Sequence, residues 1–252
     1  MAGAFVRFEE VHKAFGAKKV LQGVTFDIER GETMVVLGGS GSGKSVLIRH
    51  IIGLHRPDRG RVVVDGEDIV AYDEEELIHV RKKVAMLFQG GALFDSMNVR
   101  ENIAYGLREH TDLGEDRIRD IVRTKLGLVG LEGVEELMPS ELSGGMKKRV
   151  ALARSIAMDP QCILYDEPTT GLDPVTANTI NDMIRRLQGQ LEVTSVVVTH
   201  DIQSAFFVGD RIAYLHEGRM DFVGKVAEAR ASGSPRLRHF LSGGRERADA
   251  AV

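Results

Sequence analysis

Met34-Val35-Val36-Leu37-Gly38-Gly39-Ser40-Gly41-Ser42-Gly43-Lys44-Ser45-Val46 is the stretch from which the fold is read. Its first four residues are a short apolar run, the pattern of a strand buried on both faces. Gly38 to Ser45 then match glycine, four residues, Gly-Lys-Ser, and a helical pattern follows over 46–54. Strand, glycine-rich turn and helix in that order make a phosphate-binding loop. The glycines let the backbone curl so that several N–H groups face one phosphate, and the start of the helix adds its positive end. Gly38, Gly39, Ser40, Gly41, Ser42, Gly43, Lys44, Ser45 and Val46 are therefore candidates for holding a nucleotide. In this reading Lys44 reaches the β- and γ-phosphates and the Ser45 hydroxyl ligates Mg2+. The competing reading, a Gly/Ser-rich turn without a ligand, does not call for this strand and helix around it.

Outward from this loop the pattern stays mixed. Phe5-Val6-Arg7-Phe8 and Val24-Thr25-Phe26-Asp27-Ile28 alternate as strands, and residues 61–69 read as a hairpin turning at Asp65-Gly66. From Asn98 to about Met158 apolar positions recur at three- and four-residue spacing, as in helices. Cys162-Ile163-Leu164-Tyr165 and Ser195-Val196-Val197-Val198 read as short buried strands. A helix over 174–187 lies between them, with Asp173 as its N-cap and Pro174 at its first position. Residues 213–220 suggest a second hairpin, and the Gly-, Arg- and Ala-rich tail after Ser242 is expected to fray. No internal repeat is visible. Strand–helix–strand alternation of this kind predicts an α/β fold with a parallel sheet.

Composition narrows the class. A chain of 252 residues with 43% hydrophobic and 28% charged residues has ordinary globular composition and can bury a sizeable core. A net charge of −4 speaks against a bulk nucleic-acid binder, which would carry a basic surface. The single cysteine, Cys162, sits in an apolar run and reads as a buried structural thiol in a reducing compartment. No apolar stretch approaches the roughly 20 residues of a membrane-spanning helix, and the N-terminus lacks a signal pattern, so any membrane role is expected through a partner.

Two further segments carry chemistry. Ile163-Leu164-Tyr165-Asp166-Glu167 ends a buried strand in two carboxylates. Asp166 suits a water-mediated hold on Mg2+, which keeps several waters and takes few protein carboxylates. Glu167 suits a general base that orients an attacking water. By themselves two acids at a strand end are more often solvated surface, and the upstream phosphate loop reverses that balance. A phosphate loop and these acids define a P-loop NTPase, which a small-molecule kinase would share. Leu142-Ser143-Gly144-Gly145-Met146 distinguishes them: it stands directly before a helical segment, 147–158, with Ser143 as cap and glycines exposing N–H groups to an anion.

From about residue 4 to 240 the chain resembles an ABC ATPase cassette. Residues 38–45 resemble its Walker A motif, 142–146 its signature, and 163–167 its Walker B motif with the catalytic glutamate. Gln89 resembles the Q-loop glutamine, Gly171-Leu172-Asp173 the D-loop, His200 the switch histidine and Phe15 the aromatic that stacks on adenine. The resemblance implies a RecA-like α/β core with an antiparallel β subdomain, over about 4–88 and 159–241. It also implies a helical signature subdomain over about 89–158, the whole being one nucleotide-binding domain with a tail at 242–252. It implies ATP and Mg2+ as cofactors, with Ser45, Gln89 and Asp166 toward the metal. Phe15, residues 38–46, Gln89, Ser143, Gly144, Gly145 and Asp173 turn toward the nucleotide, and Lys44, Glu167 and His200 carry the chemistry. It further implies a head-to-tail homodimer, in which Ser143 of one cassette meets the γ-phosphate held by Lys44 of the other.

Within that family several segments look like the ATPase of MCE-type, Mla-like lipid transport systems. They are Gly43-Lys44-Ser45-Val46, the apolar stretch Phe88-Gln89-Gly90-Gly91-Ala92-Leu93-Phe94-Asp95-Ser96-Met97-Asn98-Val99, Leu107-Arg108-Glu109-His110-Thr111, Met138 to Met146, and Pro235-Arg236-Leu237-Arg238-His239-Phe240-Leu241. Thr169-Thr170-Gly171 departs from this and is generic to the wider family. The implied system moves phospholipid or related lipids between membranes of a diderm cell. It has an integral permease, an MCE-domain protein and no nucleic-acid partner, and this chain lies on the cytoplasmic face of the inner membrane. An importer ATPase for a polar solute such as an amino acid shares every catalytic motif. A soluble ABC protein acting on ribosomes or chromosomes would need two cassettes or long coiled coils, and neither fits here.

Overall fold

The alternation at the start of the chain becomes two long antiparallel strands, β1 (Ala4–Phe15) and β2 (Lys18–Glu29). Their facing Phe8 and Phe26 rings stack at 5.0 Å. This computed structural model describes residues 3–243, so the tail expected to fray lies outside the described residues from 244 on. β3 (Thr33–Leu37) is buried at all five positions, which is why Met34 to Leu37 are continuously apolar and do not alternate. It feeds the glycine-rich turn and α1 (Lys44–Arg49). β4 (Arg59–Val64) and β5 (Glu67–Asp68) follow, joined by Asp65 and Gly66 at φ 52° and 85°, the two positive φ values of a type I′ hairpin. β2, β1, β4 and β5 pair in that order as an antiparallel sheet.

By internal contacts the residues fall into two compact units: those up to Tyr72 together with those from Val197, and Asp73–Val196. The second unit opens with α2 (Glu74–Lys83) and β6 (Val84–Leu87). α3 (Val99–His110), α4 (Glu115–Leu128), a 3-10 turn at Pro139–Glu141 and α5 (Gly144–Ser155) follow. β7 (Cys162–Asp166) pairs parallel with β6, Val84 opposite Cys162 and Leu87 opposite Tyr165. α6 (Pro174–Leu191) leads to β8 (Thr194–Thr199), whose chain crosses from the second unit into the first. The first unit then adds α7 (Ile202–Val208), β9 (Arg211–His216), β10 (Arg219–Lys225), α8 (Val226–Arg230) and α9 (Pro235–Leu241). β9 pairs parallel with β3 and antiparallel with β10, through a second two-residue turn at Glu217 and Gly218. Parallel pairs inside each unit make the fold α/β, as the strand–helix–strand alternation predicts.

Three helices have bounds that differ from the sequence reading. α1 stops at Arg49, and residues 50–54 run as tight turns in which His50 and Ile51 donate to carbonyls three residues back. Gly53 at φ 67° ends any continuation toward Leu54. α5 begins at Gly144, because the Ser143 hydroxyl accepts from the Met146 N–H and the helix therefore starts at its cap. α6 runs four residues beyond Leu187, since no proline intervenes, and ends where Glu192 turns left-handed at φ 53°.

Candidate functional site

The candidate residues divide between the two units. In the first, Leu37 delivers the chain into the loop that closes on Lys44. Gly43 stands at φ 107°, and a Cβ there would lie 3.0 Å from the Val20 carbonyl oxygen, so a side chain would be strained and crowded. Gly38 allows a close approach of another strand: a Cβ would lie 2.4 Å from the Leu215 carbonyl oxygen. Lys44 is buried, and its Nζ donates to the carbonyls of Gly38 at 2.9 Å and Gly39 at 3.0 Å. The loop thus holds its cation inside its own curve, the arrangement a phosphate anion requires. Ser40 and Gly41 are exposed at the rim, and Ser45 and Val46 are half-buried at the start of α1.

Phe15 ends β1 with 46% of its surface exposed. Its ring meets His55 edge-on at 5.4 Å, and the Lys13 ammonium lies 5.5 Å from its centre. Asp58 secures this strand end, accepting from Lys13 Nζ at 2.9 Å and from the Ala14 N–H at 2.7 Å. Those bonds hold the Asp58 carboxyl below its ordinary range, the Lys13 side chain contributing most. A fixed, half-open aromatic ring is suited to stacking on a base. His200 follows β8 and is exposed, directly before Asp201, which caps α7 by accepting from the Gln203 N–H at 2.8 Å.

In the second unit, Gln89 is exposed two residues after β6. Ser143 caps α5, leaving Ser143 and Gly144 exposed and Gly145 half-buried at the helix start. Asp166 closes β7 with 2% exposure, and Glu167 follows with 8%. Glu167 has φ 51°, and its Oε2 accepts from the Thr170 hydroxyl at 3.0 Å. Asp173 caps α6, accepting from the Val175 and Thr176 N–H groups at 3.0 Å each. The Thr176 hydroxyl and backbone hold its carboxyl below the ordinary range. Cys162 is fully buried, and burial pushes its thiol up, which makes it inert.

Sequence reasoning missed Lys148 and Thr170, which flank the Glu167 turn, and Asn102. Asn102 is buried on α3 and stitches the preceding loop, donating to Met97 O at 2.9 Å and accepting from the Phe94 N–H at 2.8 Å. A polar residue at an apolar helix position was the available signal.

The sequence profile described as ABC transporter matches residues 21–170, more than half of the chain. The chain belongs to the ABC transporter family. The probable ribonucleotide transport ATP-binding protein mkl of Mycobacterium leprae is 44% identical over 243 residues, covering 96% of this chain and 70% of that protein. The intermembrane phospholipid transport system ATP-binding protein MlaF of Escherichia coli K12 is 42% identical over 238 residues, covering 94% and 88%. Among solved structures, the dimeric post-hydrolysis state of the cassette MJ0796 bound to ADP and Pi matches with TM-score 0.81 and 33% identity, over 88% of this chain and 98% of that one. The cbiO1 protein of Clostridium perfringens, part of the transporter complex cbiONQ, matches with TM-score 0.83 and 31% identity, over 94% and 95%. This ABC cassette is therefore an ATP-binding and ATP-hydrolysing subunit of a transporter. Among the described residues no helix is long and apolar enough to cross a membrane.

Proposed function

We propose that this ABC ATPase powers the movement of phospholipid between membranes, as a homodimer of cassettes bound to an integral permease at the cytoplasmic face of a bacterial inner membrane, with an MCE-domain lipid-binding protein in the assembly. The observation that carries this reading is the 42% identity with MlaF across 94% of the chain. A second reading, transport of a polar solute, is favoured by the name of the mkl relative, which specifies ribonucleotide. Reconstitution with the permease in vesicles separates them. Stimulation of ATP hydrolysis by phospholipid, and none by ribonucleotides, is the expected result, and the reverse would establish the polar-solute reading.

In the proposed mechanism Lys44 and the N–H groups of residues 38–46 hold the phosphates, and Phe15 stacks on the adenine. Ser45, Gln89 and Asp166 would hold Mg2+. The donor set fits: a hydroxyl, an amide oxygen and one carboxylate are hard oxygen ligands that leave positions for water and phosphate. Bound there, Mg2+ would neutralise charge on the phosphate oxygens. Glu167 accepts the proton of the attacking water, and His200 orients that water and the γ-phosphate. Ser143, Gly144 and Gly145 of the partner cassette complete the anion site, with Asp173 lying at the cassette interface. The core over 4–88 and 159–241 and the helical lobe over 89–158 are the working parts of this reading.

A further inference from the structure

Lys148 lies on α5 and carries its ammonium into the interior of the second unit, with 8% of the residue exposed. Burying an ammonium is costly unless its donors are matched. Here Nζ donates to the carbonyl of Pro168 at 2.7 Å and to that of Thr170 at 2.8 Å. These carbonyls belong to the turn immediately after Glu167. That turn is also closed from inside: the Thr170 N–H donates to the Glu167 carbonyl at 3.2 Å, and the Thr170 hydroxyl donates to Glu167 Oε2 at 3.0 Å. Glu167 itself stands in the left-handed region, φ 51°, which a glutamate keeps only where its surroundings impose it.

We propose that Lys148 is a positioning residue for the general base: it fixes the Pro168–Thr170 turn, and through Thr170 it fixes the Glu167 carboxylate. The proposal rests on the reading of Glu167 as that base. Burial lowers the Lys148 ammonium below its ordinary range, and the nearby Glu167 carboxylate opposes the shift, so charge as well as hydrogen bonding joins the two. A methionine would fill the same space without burying a charge, yet it would leave two turn carbonyls without their donor. The same lysine also ties the Glu167 turn to the helix that Ser143 caps, so the signature residues and the base share one support.

The test compares ATP hydrolysis by the full-length chain with Lys148→Met, Lys148→Arg and Glu167→Gln, with melting temperatures measured alongside. Lys148→Met should lower kcat by about tenfold or more with KM for ATP within about twofold, because a base displaced by a fraction of an ångström slows chemistry without touching phosphate binding. Lys148→Arg, which can donate to both carbonyls, should recover most of kcat. A folded Lys148→Met protein with wild-type kcat, or one whose loss lies in KM, overturns the proposal. If Lys148→Met does not fold, Thr170→Ala decides: lowered kcat at unchanged KM supports the turn as the positioning device, and wild-type kcat overturns it. Glu167→Gln separates the two levels. Near wild-type hydrolysis there removes the base assignment itself, whereas an inactive Glu167→Gln beside a fully active Lys148→Met removes the positioning role alone.

Discussion

Glu167 occupies a backbone conformation that costs a non-glycine residue about 1–2 kcal/mol, and the hydrogen bonds of its own turn maintain it. Its acidity at a strand end was legible in the sequence. Its φ was not, because that angle depends on bonds made by Thr170 and Lys148, one of them 19 residues upstream. If Glu167 is the base, Glu167→Gln should retain ATP affinity while turnover falls by about 10²–10⁴-fold. Lys44→Ala should instead weaken ATP binding by about tenfold to a hundredfold, since a charge-assisted contact to phosphate is lost. Nucleotide titration beside steady-state hydrolysis checks both, and near wild-type turnover by Glu167→Gln would exclude it as the base. His50 makes a different residue-scale prediction. It is 1% exposed, its Nδ1 donates to the Val46 carbonyl at 2.7 Å, and burial pushes its pKa from 6.5 down to about 4. Below pH 6.5 the unfolded chain takes up a proton here and the folded chain does not, until about pH 4. Stability should therefore fall as pH drops through that window, by up to about 3 kcal/mol. His55, also lowered by burial, acts in the same direction. Urea unfolding at pH 7 and pH 4.5 should show a large drop for the wild type and a smaller one for His50→Leu. Equal drops would assign the effect elsewhere.

At the scale of elements, caps and turns explain what the sequence disclosed. Asp173-Pro174 and the two-residue turns Asp65-Gly66 and Glu217-Gly218 have local signatures, and each lies where its chemistry puts it. The Asn98–Glu101 capping box was equally local, and the long helical periodicity from Asn98 concealed it. The segment after Gln89 shows the limit of pattern reading. Its apolar residues looked alike in sequence, yet Val99 is fully buried as the first residue of α3, whereas Phe94 is 41% exposed. Phe94 packs on Tyr105 at 5.1 Å with the Arg154 guanidinium 5.6 Å from its ring, and Asn102 ties down the backbone around it. On the proposed reading Ala92, Leu93, Phe94 and Met97, none of them buried, are the residues that would receive a short helix of the permease. Leu93→Glu should weaken copurification of the permease by tenfold or more, on the order of 1–2 kcal/mol, and leave ATP binding by the isolated chain intact. Because Leu93 is only half-buried, the variant should fold. A folded variant that still binds permease with full affinity would place the docking groove elsewhere.

At the scale of the whole molecule, one chain carries two loops of the same physical kind, which the proposed reading takes as two anion-binding devices. One is the phosphate loop, with a cation held inside a glycine-rich curve before α1. The other is the signature, with Ser143 and two glycines opening α5 and exposed at its start. The first device was legible from its spacing alone. The purpose of the second was not, because a Ser-Gly-Gly cap is common and only its company of motifs gives it meaning. The proposed reading reconciles two devices per chain with one γ-phosphate per nucleotide by a two-fold pair, in which the signature of one copy closes on the nucleotide held by the other. On that reading ATP stabilises the pair from inside its interface, and hydrolysis removes that stabilisation. The solved MJ0796 cassette, 33% identical, is a dimer in its ADP and Pi state. Sedimentation of Glu167→Gln should accordingly give monomers without nucleotide and dimers with Mg-ATP. Ser143→Arg should abolish the dimer while sparing ATP binding, since it places a bulky side chain where the partner's phosphate must sit. Mixing Ser143→Arg with Lys44→Ala should give dimers holding at most one competent site, and hydrolysis should stay far below that of the wild type. A monomeric Glu167→Gln protein at saturating Mg-ATP, both alone and with the permease, would show that the signature serves some other anion.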